Sequence, residues 1–395
     1  VAELIKAQAQ NGYSKILLAQ IASYKNIPEV EPALLAWLST ATPEERCQIN
    51  LALATCGGEK ALKVLAAQAK AVDYSFESTD AYGSYLNLLS GHLIKHEPKL
   101  VAKEAKKMMK FPKANVRLAG LDLLVQMQGV ATTPLVVKAL ADDCREYRYG
   151  AMRLSEAYAD DKTYAAVAGE LAEVADVAKV DILNWLGAQH AASQIAAIAP
   201  YVASQNDDVA SAAIAAASKI GGEQALAALI NRMTKGEENE VVDAALIKGF
   251  LSFNGSINDE FARVMDVNAH ARKISKAVLT KRRIADSASK ILVWVDNGGD
   301  DSAIPALTTN AVEKNFDKYC NLFEQGRNVS KAIIKAIQNK PAAEQAKMIQ
   351  GRMDKAGAKK HLYYPVLAAT GAKEAVAPIV EGYKSSTGEA QKSAF

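Results

Sequence analysis

Helix-length apolar patterns separated by glycine breaks run through most of this chain, and two stretches read as copies of one unit. They are "ILNWLGAQHAASQIAAIAPYV" from Ile182 and "AAASKIGGEQALAALINRM" from Ala215. Their glycines, Gly187 and Gly221, lie thirty-four residues apart, and the same step leads to Gly255. An apolar helix, a glycine break and a second apolar helix, recurring at a period in the thirties, predict a stacked array of helix pairs.

Residues 1–40 predict an N-terminal helical cap, with "IKAQAQ", "SKILLAQIASY" and "IPEVEPALLAWL" as helical patterns and Pro28 and Pro32 as helix starts. Repeats are expected over 41–256. They open at Thr42-Pro43, a cap followed by a proline at the first helical position, and break at Gly57-Gly58. Near 71–111 the pattern loosens into an irregular insert with a longer loop. From Pro112 it is regular again, with "NVRLAGLDLLVQMQG" before "TTPLVVKALAD" and "EYRYGAMRLSEAYAD" before "KTYAAVAGELAEV". Residues 257–395 read as divergent, basic helical repeats ending in a cap pair, "LYYPVLAATG" and "AKEAVAPIVEGYK", which runs into a polar linker. The acidic pairs Asp142-Asp143, Asp160-Asp161 and Asp207-Asp208 fall at unit boundaries, as N-caps or first-turn acids do. The fold class that follows is all-α, a right-handed αα-superhelix, with no strand.

Composition changes this picture little. Half the residues are hydrophobic and much of that share is alanine, which favours helix and lets helices pack closely. An array also escapes the usual domain count for 395 residues, since its core grows in one dimension. No apolar run reaches the roughly eighteen residues of a membrane span. The net charge of +3 conceals an asymmetry: from His270 onward the chain carries about +9, and before it about −6. Solvated helix faces account for the basic third, with a patch for an acidic partner or nucleic acid as the alternative. Cys47, Cys56, Cys144 and Cys320 are too scattered for a metal motif and predict free thiols.

Catalytic residues, metal ligands and cofactors are not predicted. No zinc motif, phosphate loop or nucleophile elbow occurs in the sequence. His92 and His96 share a helix face but lack a third ligand, and the "DNGGDD" loop at Asp296–Asp301 lacks calcium-loop spacing. Aligning the units on their breaks places Met127, Tyr158, Trp185, Lys219 and Phe253 at one repeat position. Stacked helices would set these about 10 Å apart, either as a ridge for an extended ligand or as filling between helices. Tyr149 and Arg153, one turn apart in "EYRYGAMR", join Asp181 and Trp185 as a candidate partner-binding patch, because aromatic and arginine side chains commonly anchor interfaces.

The units "NVRLAGLDLL…G…PLVVKALAD" and "DDVASAAIAAASKIGGEQALAALI" resemble HEAT-type repeats of the armadillo-like helical fold, from about Ala41 to Gly255 and again at the end. That resemblance implies a solenoid and no particular activity. "DILNWLG" at Asp181–Gly187 and "SKIGGEQALAAL" at Ser218–Leu229 are similar to repeat regions of exported bacterial proteins that carry a 3-keto-disaccharide or glucan hydrolase-like domain. This second resemblance implies an exported or periplasmic setting. It supplies no catalytic residues, because the strand-rich hydrolase domain has no counterpart in this chain. The expected function is a non-catalytic scaffold or protein-binding module, whose partner is another protein or an attached domain, with carbohydrate as a further possibility. The alternatives are the repeat region of a larger carbohydrate-active hydrolase, and nucleic-acid binding through the basic C-terminal third.

Overall fold

A computed structural model describes residues 14–395 together with Ala2, Glu3, Ile5 and Ala7, so most of the "IKAQAQ" pattern lies outside the described residues. The described chain is 77% helical, in twenty-four helices of five residues or more and with no strand. It divides into two units, Val1–Ile182 and Leu183–Phe395.

In Val1–Ile182, the helices described from Ser14 onward begin with α1 (Lys15–Lys25), α2 (Glu31–Trp37), α3 (Pro43–Cys56) and α4 (Glu59–Ala71), with α1 packed along α3. α3 begins where Thr42 and Pro43 predict. The Thr42 hydroxyl accepts from the Glu45 amide, and the Glu45 carboxylate accepts from the Thr42 amide, a reciprocal capping box. α4 follows the Gly57-Gly58 break, and the amides of Gly58 and Ala61 at its start donate to the Glu31 carboxylate. The irregular stretch near 71–111 contains α5 (Ala81–Asn87), a π-helical turn over Leu88–Leu93 and α6 (Pro98–Met108). Pairs resume with α7 (Ala114–Gln128), α8 (Thr133–Ala139), α9 (Arg145–Ser155) and α10 (Asp161–Gly169), α7 packing on both α6 and α9. The division between the units falls inside α11 (Asp176–Ala188).

Leu183–Phe395 continues with α12 (Asp207–Ile220), α13 (Gly222–Lys235), α14 (Glu240–Leu251), α15 (Asn258–Val264), α16 (Ala269–Lys281) and α17 (Ser287–Asp296). It ends with α18 (Ile304–Thr309), α19 (Phe316–Glu324), α20 (Ser330–Ile337), α21 (Ala342–Met353), α22 (Tyr364–Ala368), α23 (Val376–Ser385) and α24 (Glu389–Ala394). Every second helix from α12 to α22 packs on the next member of that series. α24 occupies the stretch expected to be a polar linker. It is anchored by Gln391 donating to the Tyr383 carbonyl and by a contact of the Tyr383 and Phe395 rings.

The three glycines that revealed the period play different parts. Gly221 (φ 76°) and Gly255 (φ 130°) are turns that a side chain would strain. Gly187 does not break a helix. It lies inside α11, where a Cβ would stand 2.6 Å from the Cα of Ala216 on α12. On another side of α12, a Cβ at Gly249 of α14 would stand 2.5 Å from Ser218 Oγ and 3.0 Å from Ile214 Cγ2. With neighbours this close, nine of the fourteen residues of α12 are buried and five of those are alanine, so small size rather than propensity alone explains "ASAAIAAAS".

Asparagines join the helix ends. Asn206, Asn239 and Asn268 are the N-caps of α12, α14 and α16, each accepting from amides of its own first turn. Asp207 and Asp208 are therefore first-turn acids rather than caps. The Asn239 side chain also donates to Asp207 Oδ1 at 2.9 Å, and that of Asn268 to the Thr234 carbonyl at 2.7 Å. At the opposite ends, Asn254 donates to the Ile220 carbonyl at 3.3 Å and Asn310 to that of Leu279 at 2.8 Å, satisfying carbonyls that the helices leave open. Between α14 and α16, buried Asp243 has His270 Nε2 2.7 Å from Oδ1 and accepts from Lys273 Nζ at 3.2 Å. Burial pushes the Asp243 carboxyl up, but the hydrogen bonds and charges of His270 and Lys273 outweigh it and hold the group below its ordinary value. No helix among the described residues is long and apolar enough to cross a membrane.

Two expectations follow. Gly187→Ala should destabilise the protein by about 2 kcal/mol despite alanine's better helix propensity, because the backbone of α12 cannot yield. Gly351→Ala, inside α21 with open space around it, should stabilise by about 0.5–1 kcal/mol; urea unfolding of both variants checks the opposite signs. Because the Asp243 carboxyl is lowered on folding, its contribution is complete above its ordinary value of 3.8 and is lost as pH falls through the lower folded value. The stability gap between wild type and Asp243→Asn, measured by urea unfolding across an acidic pH series, should narrow as pH falls below 3.8.

Candidate functional site

α9 carries two of the four candidate residues outward and locks its inner face with charge. Tyr147, Arg148, Ala151, Met152 and Ser155 are buried, a spacing of three and four that defines one helical face. Tyr149 (48% exposed) and Arg153 lie on the other, one turn apart. Between α9 and α7 runs a groove of about 400 Å³, lined by Leu118, Ala119 and Asp122 of α7 and by Gly150, Arg153 and Leu154 of α9. Gly150 contributes no side chain to it. Asp122 accepts from Gln126, and Arg153 makes no ion pair among the described residues.

Asp181 is not open to a ligand. It is 3% exposed, and both of its oxygens are occupied: Oδ1 accepts from Arg145 Nε at 3.0 Å and Oδ2 from Arg148 Nη2 at 2.8 Å. Arg148, equally buried, also donates to the carbonyls of Asp142 and Asp143 at 2.8 and 3.1 Å. One helix earlier, Arg117 grips Asp142 through two hydrogen bonds and lays its guanidinium 4.1 Å from the centre of the Tyr147 ring. Burial pushes the Asp142 carboxyl up, but the Arg117 hydrogen bond, with the Cys144 amide and the nearby arginine charges, brings it below its usual range. The result is a run of charged struts, Arg117–Asp142 and Arg148–Asp181, tying α7, the turn before α9, α9 and the middle of α11.

Trp185 does not complete an exposed patch, being 3% exposed. The proposed ridge is likewise dispersed. Phe253 is buried, Met127 is half-buried in the core, and half-buried Tyr158 accepts from the Thr132 hydroxyl through its own hydroxyl, while Lys219 is exposed. Met127, Trp185 and Lys219 lie in the last turns of their helices, whereas Tyr158 and Phe253 lie beyond the ends of theirs, so the shared sequence position does not become one face. The surviving outward pair is Tyr149 and Arg153. Sequence reasoning missed Arg117, Arg145, Arg148 and Asp142, although Arg117 and Arg148 each stand fourth in their helices, thirty-one residues apart.

The remaining candidates are used within the fold. His92 and His96 do meet, with ring centres 4.7 Å apart, and burial followed by the nearby His96 lowers the His92 pKa. No group of three or more His, Cys, Asp or Glu side chains placed to hold a metal occurs among the described residues. In the "DNGGDD" loop, Asp300 accepts from Lys276 and caps Ser302, and Asp301 pairs with Arg327. The four cysteines are free thiols.

A double-mutant cycle separates the struts from a binding role. Arg148→Met leaves Asp181 with only the exposed Arg145 and should cost about 3–5 kcal/mol, whereas Arg148→Met combined with Asp181→Leu should recover most of that loss, with Asp181→Leu alone closing the cycle. Thermal and urea unfolding of the single and double variants read this directly.

Comparison with protein families finds no family model that matches this chain, and comparison with curated proteins finds no match.

Proposed function

We propose that the chain is a HEAT-like array, its helix pairs stacked as a right-handed superhelix, and that it works as a non-catalytic binding module for an extended segment of another protein. The series of every-second-helix contacts, joined at both ends by asparagines at repeat spacing, supports the array. The observation that carries the binding role is the outward pair Tyr149 and Arg153 on α9, beside a groove whose apolar lining comes from Leu118, Ala119 and Leu154. Their helix is held from behind by the Arg148 strut, so a partner would meet a preformed surface at low ordering cost. Arg153 suits a carboxylate and Tyr149 an apolar or cationic side chain, which describes a peptide segment of mixed character. A nucleic-acid partner for the basic C-terminal third has less support. Arg272, Lys273, Lys276, Arg327, Lys340 and Arg352 there are all ion-paired.

Panning a random peptide library on the full chain tests this reading. Enriched peptides should bind wild type and lose at least about tenfold, or about 1.4 kcal/mol, against Tyr149→Ala and against Arg153→Glu. Both residues are exposed, so circular dichroism should be unchanged. Enriched peptides that bind the variants as tightly as wild type would overturn the site, and failure to enrich any would overturn the module.

A further inference from the structure

Within Leu183–Phe395 a larger cavity, of about 610 Å³, opens among α18, α19, α20, the turn preceding α22, and α22 itself. Its floor is apolar, formed by Phe323, Ile334, Leu362 and Val366. Its cationic edge is Lys331 and Lys335, one turn apart on α20. Neither lysine has an ion-pair partner among the described residues, and no carboxylate is among the residues that line the cavity.

The wall is held in place by groups that are themselves satisfied. The Phe323 ring meets Tyr363 edge-on at 5.4 Å, and the Tyr363 hydroxyl donates to Glu324 at 2.6 Å. Glu324 also accepts from Arg352 at 2.8 Å. Glu324, next to Phe323, is thus engaged by Arg352 and Tyr363 and does not neutralise the lysines.

We propose that this cavity binds a free single-chain amphiphile whose carboxylate is held by Lys331 and Lys335 and whose alkyl chain lies on the apolar floor. Charge complementarity sets the head, since two adjacent ammonium groups over a low-dielectric surface favour an anion and give charge-assisted hydrogen bonds. Size sets the class. The volume falls in the range of roughly 300–1,000 Å³ typical of small-molecule sites. Eleven residues line it, fewer than the roughly twenty to thirty that each side of a stable protein interface supplies. The site is independent of the Tyr149–Arg153 surface, and either can fail without the other.

Isothermal titration of the full chain with monomeric dodecanoate should show one saturable site. Dodecanol, with the same tail and no charge, should bind at least about tenfold more weakly, and each methylene added to the carboxylate series should strengthen binding by roughly threefold to fourfold. The double variant Lys331→Gln, Lys335→Gln should lose at least about tenfold for dodecanoate and little for dodecanol. Ala369→Trp, which fills the cavity from an exposed position, should remove both. The dodecanol comparison on wild type needs no variant to fold. Equal affinity for dodecanol and dodecanoate, no saturable site, or binding untouched by Ala369→Trp overturns the proposal. So does binding to anionic vesicles, or to an acidic helical peptide, without binding to monomeric dodecanoate.

Discussion

Two helices reach backbone contact only where no side chain stands between them, and α12 is held under that constraint by both neighbours. Gly187 and Gly249 place bare backbone against Ala216, Ile214 and Ser218. Their positions inside α11 and α14 set a short distance between helix axes, and the groups at the helix ends depend on it. An asparagine side chain is short, yet Asn239 and Asn254 reach acceptors associated with α12 at hydrogen-bonding distance. Bulkier contacts at the glycines would move the helices apart and leave caps and carbonyls at both ends without partners. The alanines of α12 follow from the same constraint.

Charge does for α7, α9 and α11 what close packing does for α12. Arg148 and Asp181 are both buried, and such a pair contributes little net stability compared with apolar residues of the same volume. It does restrict how the helices meet. Advancing α9 by one residue would rotate Arg148 by about 100° and strand two buried charges. Half-buried Arg117 with Asp142, and buried Asp243 with the hydrogen bonds from its neighbours on α16, likewise lose their partners if a helix turns. Polar contacts across junctions and close apolar contacts along the helices therefore act on different variables, orientation and spacing.

Local chemistry made the helices and many of their ends legible. Thr42, Pro43 and Glu45 lie within four residues of one another and satisfy the start of α3 by themselves, and Gly57-Gly58 ends that helix as the pattern predicts. Gly187 defeats this kind of reading, because a glycine inside a helix and one at a break look alike along the chain. The difference is Ala216, on another helix. Asp181 and Trp185 escape it for a related reason: an aspartate and a tryptophan one turn apart on a helix suit a surface patch until the facing elements are known. The 610 Å³ cavity draws its lining from Thr308 to Ala369 and leaves no local pattern. Some of the missing signal was present in register, in the shared helix position of Arg117 and Arg148 and in the spacing of Asn206, Asn239 and Asn268.

With forty-seven basic side chains, a positive charge by itself says little about what this protein binds. Many of them are held by acids of the fold, and most of the rest are exposed to water, where a partner gains little from meeting them. Arg153, Lys331 and Lys335 differ because each stands at an apolar-lined recess, where Coulomb attraction is less screened than on an open surface. The two recesses are not equivalent. Arg153 shares its groove with Asp122, so that surface presents both signs and suits a segment that carries both. Lys331 and Lys335 share theirs with no acid, so its field has one sign and its complement is an anion. The placement of carboxylates, more than that of lysines and arginines, is what distinguishes the two sites.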